Sequence, residues 1–124
     1  SRKGYGLELR KLTGQSQCVY CGIDIYERYE HWLLLQVDHV IPTTMGKRLG
    51  ISTEWLEDYS NLVLACSACN TFKNQYDNKS VIEPPRTLDE FFDLRNMVFL
   101  ARKPKIETCQ QNERQFFDSK PWDA

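Results

Sequence analysis

The sequence predicts a small α+β fold: a strand–loop–strand–helix core, stapled at its base and flanked by helices. Three observations carry this. Residues 32–37 (Trp-Leu-Leu-Leu-Gln-Val) and 62–64 (Leu-Val-Leu) are apolar runs of strand length. Two Cys-x-x-Cys turns, Cys18/Cys21 and Cys66/Cys69, bracket those runs. A capping box at Thr87-Leu88-Asp89-Glu90 then opens a stretch with apolar residues at helical spacing.

In chain order, residues 7–12 suit a short helix ending near Gly14, which can adopt the left-handed cap conformation. Cys18-Val19-Tyr20-Cys21-Gly22 is a tight turn carrying two thiols. The first strand, 32–37, runs directly into Asp38-His39-Val40-Ile41-Pro42, where the proline stops it. A long connection, 43–60, contains the basic pair Lys47-Arg48 and a short helical piece that Ser52 can cap. After the second strand, Ser67 offers a cap for a helix from Ala68 to about Asp77. Pro84-Pro85 is a rigid break. Phe91, Leu94, Val98 and Ala101 then face one side of a packing helix over about 88–102, which Pro104 is expected to end. The aromatic tail, Phe116, Phe117 and Trp122, reads as docked core, and His31 as a packing or surface histidine.

At 124 residues the chain has the size of one domain, 1–124, with its motif core over about 18–78. Hydrophobic residues at 41% and charged residues at 27% exclude a disordered or collagen-like chain. No apolar run approaches the roughly 18 residues of a membrane span, and Ser1-Arg2-Lys3-Gly4 does not open a signal peptide. The formal net charge of -1 announces no nucleic-acid binder by itself. Five cysteines, an odd count, argue for a reducing, intracellular (cytoplasmic) setting with thiolates bound to metal.

Two residues between paired cysteines let both thiolates reach one tetrahedral ion at about 2.3 Å. Two such pairs point to one structural Zn2+ held by Cys18, Cys21, Cys66 and Cys69. Two unrelated pairs of buried thiols and a redox Cys-x-x-Cys are the competing readings, and neither explains the matched spacing. Four thiolates leave that ion no open position, so any chemistry must come from other residues. Cys109 is left over as an isolated thiol.

Asp38-His39-Val40-Ile41-Pro42, Asn61-Leu62 and Cys66-x-x-Cys69-Asn70-x-x-Lys73 together resemble the HNH endonuclease motif of the four-cysteine type. The resemblance runs from Cys18 to about Asn74. Phosphodiester hydrolysis needs a base for water and a cation for the leaving oxygen. An imidazole with an ordinary pKa of about 6.5 suits the base, His39. Asp38 and Asn70 offer hard oxygen ligands, which favour Mg2+ or Mn2+ over a second zinc. Neighbouring strand residues point to opposite faces, so the backbone is expected to bend after Asp38 if both side chains serve one centre.

The resemblance implies a ββα-metal (His-Me finger) fold and a DNA phosphodiesterase leaving 5′-phosphate and 3′-hydroxyl ends. It implies Asp38 as the first metal ligand, His39 as general base and Asn70 as the ligand on the helix. Asn61 would tie the loop to its strands and hold the base in place. Lys73 would contact a phosphate, and Asn74 would be a further ligand or bind a metal-held water. Two features depart from the family's usual look. Met45-Gly46-Lys47 stands where a Gly-Gly pair is common, and the loop carries an extra helical piece. A duplex with one charge about every 1.7 Å demands local cations; Lys47, Arg48, Lys73 and Lys79 are the candidates, failing which a further domain or subunit would deliver the double-stranded substrate. A catalytically silent, zinc-stapled module that binds nucleic acid or protein is the alternative.

Overall fold

The computed structural model describes residues 2–72 and 75–123. Its elements are helix α1 (Arg2–Thr13), helix α2 (Tyr29–Trp32), strand β1 (Leu35–His39), helices α3 (Thr43–Leu49) and α4 (Thr53–Leu56), strand β2 (Leu62–Cys66), helix α5 (Ser67–Thr71) and helix α6 (Leu88–Ser119). The two strands form one antiparallel ribbon, pairing Leu35 with Cys66 at one end and His39 with Leu62 at the other. This is the expected α+β fold, a small two-stranded sheet among helices with the four-cysteine cluster at its base.

Strand β2 is buried throughout, whereas β1 is buried only at Leu35 and Asp38 and half-buried elsewhere. Two apolar clusters flank the ribbon. Leu9, Ile25, Leu35, Leu64 and Ile106 pack around the cysteines. Val40, Ile41, Met45, Leu56, Phe91 and Val98 pack beneath the connecting loop. Each fully buried aliphatic or aromatic side chain contributes roughly 1.5–3 kcal/mol. Gly46 is essential to the second cluster: a Cβ there would lie 2.6 Å from Leu56 Cδ1, so α3 and α4 approach each other through a missing side chain.

Several expectations need correction. Helix α1 begins well before residue 7, although it ends as expected, with Gly14 at φ +75° donating to Arg10 O. Residues 32–34 are not strand. Trp32 closes α2, where it stacks on Tyr29, and Leu33 and Leu34 are exposed, so burial and pairing begin only at Leu35. The connection holds α3, which the sequence reading missed, as well as the expected α4 with Ser52 Oγ accepting from Trp55 N. Helix α5 stops at Thr71, well short of Asp77. Its N-cap is Cys66, whose sulfur accepts from Cys69 N, rather than Ser67. Beyond it, Asp77 is drawn to Arg48 on α3 by a two-pronged ion pair, a tertiary pull that helix propensity does not register.

The largest departure is α6. Thr87 Oγ1 caps it through Glu90 N as predicted, but the helix runs through Pro104 to Ser119. A proline inside a helix costs about 3 kcal/mol through a lost N–H bond and a ring clash. Here the orphaned carbonyl belongs to Leu100, which is exposed and can be hydrated. Residues beyond the proline offset the cost: Ile106 is fully buried, and Gln110 reaches the cysteine cluster. The aromatic tail is not docked core. Phe116, Phe117 and Trp122 are all more than half exposed, with Phe116 edge-on and Phe117 tilted against Trp122, because α6 has by then passed the edge of both clusters. Among the described residues, no helix is long and apolar enough to cross a membrane.

Candidate metal centre and cleft

The cysteine cluster is built by two turns brought together at the base of the ribbon. Gly22, at φ +80°, donates to Cys18 O and closes the first turn. Val19 N donates to Leu64 O, hanging that turn on β2. The second pair sits where β2 becomes α5. All four sulfurs lie within 4.8 Å of one another, and Cys21 Sγ is 3.8 Å from Cys66 Sγ. A tetrahedron with metal–sulfur bonds of about 2.3 Å has edges of about 3.8 Å, so the spacing fits zinc.

Titration behaviour fits too. Burial pushes the Cys21 thiol up to about 11, while hydrogen bonds from Cys66 and Cys69 hold Cys18 well below the usual thiol range. Hydrogen bonds to Cys18 and Cys66, with burial, raise Cys69. Thiolates this crowded cannot all ionise without a cation among them. Gln110 Nε2 donates to Cys69 Sγ at 2.8 Å, a support for the thiolate that sequence reading missed.

At the other end of the ribbon lies an open cleft of about 660 Å³, lined by Asp38, His39, Thr43, Thr44, Asn70 and Lys79 among others. Asp38 and Gln36 share one face of β1. Asn70, on α5, donates its amide to Gln36 Oε1, which turns its carboxamide towards that face. Asp38 is almost buried. Tyr20 Oη donates to its Oδ2 at 2.9 Å and Arg102 NH2 lies 3.2 Å from the same oxygen. Burial raises the carboxyl above its usual range, with Arg102 and Tyr20 pulling against that. Burial and the Asp38 charge likewise raise the Tyr20 phenol.

The backbone does not bend after Asp38. β1 continues through His39, paired with Leu62, so the two side chains leave on opposite faces. They still border one cleft because it opens at the strand's end. His39 Nε2 is 2.8 Å from Glu57 Oε1, a partner just past α4 that the motif did not indicate. Asn61 is fully buried: its Oδ1 accepts from Ile41 N, and its Nδ2 donates to Leu56 O and Ile41 O. Asn61 O also accepts from Val40 N. This one residue fastens the loop that follows His39 to the end of α4.

Among the described basic candidates, Arg48 and Lys79 meet on Asp77 rather than standing unpaired at the cleft. Arg48 gives Nε and NH2 to Asp77 and further bonds to Val81 O and Asn78 O, so its guanidinium is occupied within the fold. Lys79 lines the cleft but also reaches Asp77 Oδ2 at 3.0 Å. Lys47 is exposed on α3. Lys73 and Asn74 lie outside the described residues. His31 is half-buried, with Nδ1 2.9 Å from Asp24 O and away from the cleft.

Residues 18–75 match the family model described as HNH endonuclease. No curated protein and no solved structure matches the chain.

Proposed function

We propose that the chain, whose residues 18–75 match the HNH endonuclease family model and whose four cysteines are placed to bind zinc, is a metal-dependent nuclease that hydrolyses DNA phosphodiester bonds. The observation that carries this reading is that one solvent-open cleft is bordered by Asp38, His39 and Asn70 together. The whole chain, 1–124, acts as one unit, since α6 touches both ends of the motif core.

In this reading His39 takes the proton from the attacking water. Glu57 on Nε2 fixes the ring, leaving Nδ1 to accept. Asp38 and Asn70 are the oxygen donors for Mg2+ or Mn2+, and one buried carboxylate with one carboxamide suits a hard ion that keeps most of its waters. When bound, that ion supplies charge stabilisation at the scissile phosphate and the leaving oxygen. Asn61 holds the His39 loop in register. Thr43, Thr44 and Lys79 line the cleft and are the groups to contact the backbone of the substrate, with Lys47 on α3 and, by its place in the motif, Lys73 as further phosphate contacts.

The test is plasmid nicking with Mg2+ by the wild type, His39→Ala and Asp38→Ala. Loss of a positioned base or ligand is expected to lower the rate by about 10²–10⁴-fold. Equal activity in all three chains sinks the assignment. One observation favours the catalytically silent binding module instead: Asp77 takes up both Arg48 and Lys79, which thins the cationic surface. Under that alternative, a divalent-ion titration with duplex present finds no weak oxygen-donor site beyond zinc.

A further inference from the structure

Arg102 is the largest fully buried side chain and the one buried cation of the described core. It projects from the middle of α6, outside the matched motif. Its NH1 donates to both His39 O and Val40 O at 2.8 Å, and its NH2 faces Asp38 Oδ2 at 3.2 Å. A planar fork thus grips three consecutive residues at the place where β1 ends and the cleft begins. Tyr20, stacked on Phe99 of α6, holds the same Asp38 oxygen from the zinc turn.

The fold tolerates a defect to keep this grip. Arg102 Nε is buried without a hydrogen-bond partner among the described residues. Stability alone does not account for that, because well-packed apolar side chains commonly replace buried ion pairs at no loss. A methionine would fill the volume. What only a guanidinium supplies is simultaneous donation to two carbonyls and a carboxylate in fixed geometry.

The geometry points to Arg102 as a positioning residue of the reaction centre, setting the Asp38 carboxylate and the His39–Val40 backbone relative to each other. This rests on the nuclease reading above. It makes α6 part of the active centre rather than a packing helix. With both clamp contacts on Oδ2, the carboxylate presents its other oxygen, Oδ1, to the cleft.

The experiment compares R102K and R102M with the wild type in nicking kinetics at saturating Mg2+, with zinc content and thermal unfolding measured on the same samples. R102K keeps the cation but cannot span three acceptors. It is expected to stay folded with its zinc, to lose at least tenfold in kcat and to keep KM for DNA within twofold. R102M, which fills the space without charge, is expected to lose at least as much. A folded R102K with kcat within twofold of wild type overturns the proposal. So does an R102K that sheds zinc or unfolds, which would make the residue a support of the frame. A wild type that nicks nothing sinks the nuclease reading instead. Amide exchange then decides the positioning claim: Val40 and Ile41 should exchange at least tenfold faster in R102K with β2 amides unchanged, and equal protection overturns it.

Discussion

The two ends of the ribbon solve opposite problems. At the base, four sulfurs surround one point at tetrahedral spacing, held by Gly22, by the Val19–Leu64 bond and by Gln110. Nothing is left over for a substrate. At the other end, each polar group is held by one side only: Asp38 through Oδ2, His39 through Nε2, Asn70 through its amide nitrogen. Among the described residues, no further bond takes up the remaining donor and acceptor atoms. A saturated polar cluster rigidifies, and a half-saturated one is costly unless a ligand completes it. On the proposed nuclease reading, the difference separates a staple from a workplace within one small motif.

The largest effect should come from breaking the staple. Cys69→Ser removes a sulfur that is fully buried and supported by Gln110. Structural zinc contributes on the order of 10 kcal/mol to small domains that fold around it. The variant should therefore lose its zinc and its cooperative thermal transition, and a strong chelator should do the same to the wild type. A chain that melts unchanged without zinc would make the cysteines incidental to the fold. The cleft is expected to behave differently: withdrawing Mg2+ should stop nicking and leave the melting curve where it was.

An intermediate effect tests the link between the two regions. Asn61→Ala deletes three buried hydrogen bonds and strands Ile41 N without its acceptor. Each unsatisfied buried group costs about 1–3 kcal/mol, so a destabilisation of about 3 kcal/mol is expected in chemical denaturation. Zinc stoichiometry should survive, since the loop lies at the far end of the ribbon. Nicking should fall, because the loop after His39 loses its tie. Loss of zinc in this variant would erase the distinction drawn above.

How much of this was legible depended on sequence distance. The cysteine pairs, the Ser52 and Thr87 caps and the second strand obey local rules, and a local pattern suffices to read them. Asn61 was legible too, because the motif carries its loop-tying role. Arg102 was not. Its partners lie about sixty residues away, and an arginine within a helical stretch reads as a solvated charge. Glu57 and Gln110 escaped for the same reason: glutamate and glutamine on helical segments announce nothing until the fold sets them against His39 and Cys69. Pro104 misled in the opposite direction. Its local rule is sound, but burial of Ile106 and the contact from Gln110 outweigh it. The bend expected after Asp38 assumed that two side chains on opposite faces cannot share a cleft, which holds in mid-strand and fails at a strand's end.

The smallest effect concerns the cleft's outer wall, where Asp77 joins the segment after α5 to α3. Chiefly through its hydrogen bonds with Arg48, its carboxyl is held at about 2, below the ordinary value of about 3.9. A carboxyl whose folded pKa is depressed adds stability above its unfolded pKa and loses it as the pH falls towards the folded one. The tie should therefore be intact at neutral pH, weaken from about pH 4 and be lost as the pH falls through about 2. Arg48→Gln should remove that acid dependence and leave the zinc site untouched. Because the pair is near the surface, salt should weaken it as well. The measurement is Tyr76 solvent exposure against pH, in wild type and variant, at low and high salt. Tyr76 neighbours Asp77 and packs against the second apolar cluster, so it reports the tie rather than the staple. An acid transition of the same size in both chains would mean that Asp77 does not hold the wall, leaving Arg48 tied there only by the Val81 and Asn78 carbonyls.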